Sequence, residues 1–250
     1  MERENIEHEP STQSIPVELP KRYHQTPQDC RSSWIHRPTA ALLGSGAAAV
    51  SLVIIWAARA AVGRPVYVSE LGAASEPTAG WFRLALLLIA ASCFLIGWSI
   101  HGRSTVRPLL NWPHYWSISL SVGAAGSLFF IASQVPCTTG CPLPAGSNAI
   151  QDFSHTLSAA LAFSFGIVAM LQTAASNYGA PLRVLSMCCG LAVLFVASSG
   201  GILSLLQIRT DTGGLLEFIA TTIGLVWFVI FGLFAAIERP PLPHVKKHAG

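Results

Sequence analysis

The chain has 250 residues, of which 52% are hydrophobic and only 11% charged, with a mean hydropathy of +0.52 and a formal net charge of +3. Soluble globular domains carry about a quarter charged residues, so this composition excludes an ordinary soluble domain and points to an integral membrane protein. No basic stripe interleaved with aromatics runs through the chain, which excludes nucleic acid as the partner of its positive charge.

Residues 1–38 are polar and rich in Pro, Ser, Glu and Arg, with no recurring apolar face, and read as a disordered tail. The tail is too long and too acidic for the charged lead of a signal peptide, so the first span is expected to act as an uncleaved anchor. Residues 39–237 then hold six windows long and apolar enough for a span of about 20 residues. They run Thr39–Val62, Gly80–Ile100, Tyr115–Val135, Ile150–Leu171, Val184–Leu206 and Gly214–Ile237. Backbone polar groups cannot stay unpaired in lipid, so each window is a helix, and the short connections imply antiparallel neighbours. The expected fold is an all-α membrane protein, a six-transmembrane-helix bundle followed by a short tail at 238–250. Small residues such as Gly44, Gly46, Gly123, Gly126, Ser198, Gly200 and Gly201 would let helices approach closely.

Basic residues set the orientation. Arg3, Lys21, Arg22, Arg31 and Arg37 lie in the first tail, Arg103, Arg107 and Arg183 in the second and fourth loops, and Arg239, Lys246 and Lys247 at the C-terminus. The first, third and fifth loops hold only Arg64 and Arg209. The positive-inside rule therefore puts both termini in the cytoplasm of a cell, in a plasma or bacterial inner membrane.

With that orientation Glu70, Glu76, Asp152, Asp211 and Glu217 all fall on the outer side, and His155 is the one histidine of eight there. Outer loops lack cations by rule, which accounts for part of the pattern. Asp152 also sits in the first turn of its helix, where an acid suits the helix dipole; with Asn148 as N-cap, Gln151 would complete a capping box. His155 and Glu217 lie inside apolar windows, where ionisable groups face the bundle interior or a wet cavity. Asp152 and His155 are three residues apart and share a helix face, so Asp152 is expected to accept from one His155 ring nitrogen and leave the other as base or ligand. The competing reading is an interhelical polar clamp that includes Arg83. Ser69 and Glu70 reach the same layer from the first loop.

Several chemistries fit these residues. Ser69, His155 and Asp152 could form a nucleophile arrangement, although no nucleophile elbow surrounds Ser69. His155 with Glu70, Asp152 and Glu217 could hold a hard or borderline metal ion, without any paired-histidine motif. A haem between helices wants two facing histidines, and the outer half offers one. Metal and cofactor content is therefore left open by the sequence.

Cys137 and Cys141 lie in the third loop, in Cys-Thr-Thr-Gly-Cys-Pro. In an oxidising outer compartment they are expected to form a disulfide that shapes the turn. Cys93, Cys188 and Cys189 fall within spans and read as small packing residues.

Four short motifs carry a resemblance: Val-Ser-Glu-Leu-Gly at 68–72, Pro-Cys-Thr-Thr-Gly-Cys-Pro at 136–142, Asp-Phe-Ser-His at 152–155 and Gly-Leu-Leu-Glu at 214–217. Together they resemble the bacterial and archaeal six-span family known as domain of unknown function 998, over roughly 40–237. The first loop is also distantly similar to that of the Frag/DRAM/Sfk group. Members of the 998 family often carry a basic residue after the last motif's Glu; here Phe218 stands there, which departs from a local Glu–Arg pair. The resemblance implies a shared polar outer layer and no established reaction. The expected site is a pocket of Ser69, Glu70, Asp152, His155 and Glu217 that binds a lipid headgroup or small polar ligand, with a membrane hydrolase or a transporter as alternatives.

Overall fold

The computed structural model describes residues 27–102, 116–138, 149–206 and 208–237. Six α-helices form the described fold: α1 (Pro27–Val62), α2 (Ala79–Ile100), α3 (Ile118–Gln134), α4 (Ala149–Ala174), α5 (Ala180–Leu205) and α6 (Thr210–Ile237), with a short 3-10 turn at Ser69–Gly72 between α1 and α2. The fold is all-α, and among the described residues there is no strand.

Helix boundaries follow local chemistry. The apolar part of α1, His36–Val62, matches the expected first span, but the helix itself starts at Pro27 and carries Pro38 within it. It thus reaches back into the stretch expected as a tail; residues 1–26 and 238–250 lie outside the described residues. Gly63 (φ 65°) and Gly102 (φ 72°) take the left-handed conformation that ends α1 and α2. Ser117 caps α3, accepting from the Leu120 N–H at 3.2 Å. Pro181, with no N–H to satisfy, sits in the first turn of α5 and starts that helix earlier than the expected Val184.

Five of the six helices are long and apolar enough to cross a membrane, the mark of a multi-pass membrane protein. The sixth, α3, is apolar but only 17 residues long. The outward faces agree with a bilayer environment. Leu43, Val53 and Phe195 are each 67% exposed, and Trp81 and Trp98 lie exposed near the two ends of α2, where interfacial tryptophans belong. In water such a surface would be an aggregation hazard.

The helices pack in chain order, each against the next, and α6 closes back onto α1. The result is a ring of six helices around a common axis. Serine hydroxyls bind it across helix pairs: Ser92 donates to the Gly44 carbonyl at 2.6 Å, Ser119 to Gly97 at 2.7 Å and Ser45 to Val229 at 2.7 Å. Gly44, Gly126 and Gly200 do sit at close approaches, with α2, α2 and α6 respectively, whereas Gly46, Gly123 and Gly201 face open space. One end of the axis is closed. There Trp227 stacks on Phe231 at 4.9 Å, Tyr178 meets Phe231 edge-on, and Gly232 lets α6 press against Ile96 and Ala41. The other end, where α2, α4 and α6 begin, carries the polar residues and is called the polar end.

Candidate functional site

The first connection turns into the bundle at the polar end instead of lying over it. Val66, Tyr67, Val68 and Leu71 are all buried. Two glycines at the start of α6 make room for it. A Cβ on Gly214 would lie 2.6 Å from the Val66 carbonyl oxygen, and one on Gly213 would lie 2.7 Å from the Tyr67 hydroxyl. Burial pushes the Tyr67 phenol above its usual pKa, with the Ser204 hydroxyl pulling the other way. Glu217, one turn further along α6, accepts the Val68 N–H at 3.0 Å, and the Ser69 amide faces the same carboxylate. Arg59 of α1 completes the join: its Nη1 donates to the Val66 carbonyl at 2.5 Å and its guanidinium lies 5.3 Å from the centre of the Phe218 ring.

The Val-Ser-Glu-Leu-Gly motif now has a residue-by-residue basis. Glu70 accepts the Tyr67 N–H at 3.2 Å and holds the 3-10 turn. Leu71 is fully buried, and Gly72 leaves room for the Phe82 ring, which a Cβ would meet at 2.5 Å. Ser69 is the polar side chain of this motif that lines the interior.

The corresponding join on the other side runs through Asp152. Its two oxygens accept from Thr138, the backbone N–H at 2.7 Å and the hydroxyl at 2.6 Å. Asp152 is only 2% exposed, so both bonds are shielded from water. The expected Asp152–His155 bond is not formed. His155 Nδ1 lies 2.7 Å from the Val135 carbonyl and 3.1 Å from the Ala132 carbonyl, at the end of α3. Carbonyls only accept, so Nδ1 carries the proton and donates to carbonyls that α3 leaves without helical partners. In the neutral tautomer that these bonds select, Nε2 is the acceptor. The three-residue spacing predicted a shared face correctly, but the partners of both side chains come from a neighbouring element. Part of the expected clamp is real: His155 ties α4 to α3.

A cavity of about 100 Å3 runs along the bundle axis. Ser69, His155 and Glu217 line its polar end, and Thr221 follows one turn below Glu217. Beyond them the wall is apolar, with Leu86 of α2, Phe129 of α3, Phe163 and Met170 of α4, and Leu225 and Trp227 of α6. Of the five residues expected to converge, three meet in this space. Glu70 and Asp152 are not among its lining residues, because each is occupied by its own loop.

Comparison with family models, with curated proteins and with solved structures found no match.

The geometry bears on each chemistry considered above. The Ser69–His155–Asp152 nucleophile arrangement lacks its orienting acid, since Asp152 is bound to Thr138 and His155 is oriented by carbonyls. Among the described residues no three His, Cys, Asp or Glu side chains come together as a metal ion would need. Cys137 is buried next to Thr138, but Cys141, Asn148 and hence the expected bridge and cap lie outside the described residues.

Proposed function

We propose that this is a multi-pass protein of the cell membrane that binds an amphiphile, with the hydrocarbon chain in the axial slot and the polar headgroup at the polar end, beside His155. The observation that carries this reading is the change in polarity along one continuous cavity, from three hydrogen-bonding side chains at one end to aliphatic and aromatic walls at the other. Ligand sites are mostly apolar with a few placed polar groups. A small polar ligand alone would leave most of this wall facing empty space, whereas an acyl chain fills it.

The distribution of basic residues supports a cytoplasmic placement of both termini, which puts the polar end in the outer leaflet. In this reading α3 also crosses. Its 17 residues rise about 25 Å against a hydrocarbon core of about 30 Å, a mismatch that flanking residues and local thinning accommodate. Membership of the 998 family is part of the same proposal. It is supported by the pairing of its motifs in space, the first loop on the start of α6 and Thr138 on the start of α4. A Cys137–Cys141 bridge would reinforce the second of these joins in an oxidising compartment.

The test is to purify the protein in a mild detergent and identify bound lipids by mass spectrometry, alongside Gly224→Leu. Gly224 lines the slot, and a Cβ there would meet nothing nearer than the Met170 methyl at 4.0 Å, so the new side chain fills space without a backbone clash. An amphiphile retained by the wild type and lost from Gly224→Leu is expected. Indistinguishable lipid content in the two would contradict the reading.

A further inference from the structure

A second cavity, of about 240 Å3, lies between the first turns of α2 and the last turn of α3. It shares Phe82, Leu86, Ala132 and His155 with the axial slot, so these four residues border both spaces. The ionisable side chains lining it are Arg83 and His155, and no carboxylate is among its walls. Arg83 does not face an acid there: its Nη2 donates to the neutral Oε1 of Gln134 at 2.8 Å, and the Gln134 amide in turn donates to Ser133 at 2.8 Å. This hydrogen-bonded chain bridges α2 and α3.

The two spaces differ in sign as well as in polarity. Glu217, an acid, lines the axial slot; a cation lines the lateral one. An anionic group is therefore favoured in the vestibule and opposed at the polar end of the axis. A guanidinium suits this role, because its fork of donors matches carboxylate and phosphate oxygens. From the shared wall the slot continues inward: His155 and Met170 are fifteen residues apart on α4, about 22 Å at a helical rise of about 1.5 Å per residue.

Resting on the amphiphile reading above, we infer that the vestibule between α2 and α3 is the headgroup site of an anionic single-chain amphiphile, with Arg83 pairing its carboxylate or phosphate and the tail passing the Phe82–Leu86–Ala132–His155 wall into the axial slot. Gln134 holds Arg83 in place until the anion displaces it.

The experiment measures equilibrium binding of three radiolabelled probes to the full chain in detergent, at a pH where both acids are ionised. The probes are palmitate, palmitoyl lysophosphatidate and uncharged monopalmitoylglycerol. Wild type is expected to bind at least one anionic probe more tightly than the uncharged one, and the tighter of palmitate and lysophosphatidate identifies carboxylate or phosphate as the source. Arg83→Gln is expected to weaken the anionic probe by about tenfold or more, the loss of one charge-assisted pair, and to leave monopalmitoylglycerol unchanged. Arg83→Lys should restore part of the loss, which separates charge from folding. Equal effects of Arg83→Gln on charged and uncharged probes, or no preference for an anion, overturns the inference while Gly224→Leu-sensitive binding of monopalmitoylglycerol keeps the amphiphile reading. If no probe binds in a Gly224→Leu-sensitive way, both fall.

Discussion

The Val68 N–H donates to Glu217 Oε2 at 3.0 Å, across 149 residues of chain. This bond fixes the first loop to the start of the last helix and so brings Ser69 to the mouth of the axial cavity. Replacing Glu217 by Ala leaves the buried Val68 amide without its acceptor, a loss of about 1–3 kcal/mol. Glu217→Gln keeps an acceptor oxygen and should lie between wild type and Glu217→Ala in thermal stability measured in detergent. Equal melting temperatures for the Gln and Ala variants would mean the bond does not hold the loop.

Gly214 tests the same join from the backbone side. A Cβ there meets the Val66 carbonyl oxygen at 2.6 Å and its carbon at 2.9 Å, and neither can rotate away. Gly214→Ala should destabilise by about 1–3 kcal/mol through overpacking. Gly201 on α5 is the control, since nothing lies within 4 Å of its Cβ position. Gly201→Ala should be neutral or stabilising by up to about 1 kcal/mol. The difference between the two is read from thermal unfolding in the same detergent.

Asp152 anchors the third connection to the start of α4 through Thr138. Asp152→Ala should lower stability by about 1.5–3 kcal/mol for each charge-assisted bond it removes, while amphiphile binding by the folded fraction is retained. Thr138→Val removes the hydroxyl donor alone, so the two substitutions should be non-additive in a double-mutant cycle. Additive effects would show that the pair is not coupled.

His155 joins structure to site. Asn offers an amide N–H near the position of Nδ1, so His155→Asn should preserve the bond to the α3 carbonyls and most of the stability, yet lose the Nε2 acceptor. Its headgroup affinity should fall while its melting temperature stays near that of wild type. His155→Ala should lower both, because the carbonyls lose a donor and a buried ring leaves a void. If Asn and Ala variants bind and melt alike, the ring does not divide its roles in this way.

The helices were legible because uninterrupted apolar windows leave few alternatives in lipid. The fourth window, Ile150–Leu171, lies within a helix that runs Ala149–Ala174. Ends were less legible: α1 runs through Pro38 to Pro27, since a helix tolerates an internal proline that a window scan treats as a stop. His155 and Glu217 stood out because an ionisable group inside an apolar run needs a reason. Their partners did not stand out. Thr138 is 14 residues from Asp152, and Val135 is 20 from His155, separations that only the packed helices close. The slot itself was invisible, because Phe163, Met170 and Leu225 read no differently from residues that face lipid. Arg83 was expected in an interhelical clamp, and its bond to Gln134 does join α2 to α3, but the vestibule beside it has no signature in the sequence.

The central claim is that an acyl chain lies along the helix ring's axis. It is tested most directly with a palmitate analogue carrying a photoactivatable diazirine at the chain terminus, crosslinked to the purified protein and mapped by peptide mass spectrometry. The account predicts labelling of slot residues near the closed end, Met170 of α4 and Trp227 of α6 foremost, and loss of that labelling in Gly224→Leu. Labelling confined to outward-facing residues such as Val184 and Phe195, unchanged in Gly224→Leu, would contradict it.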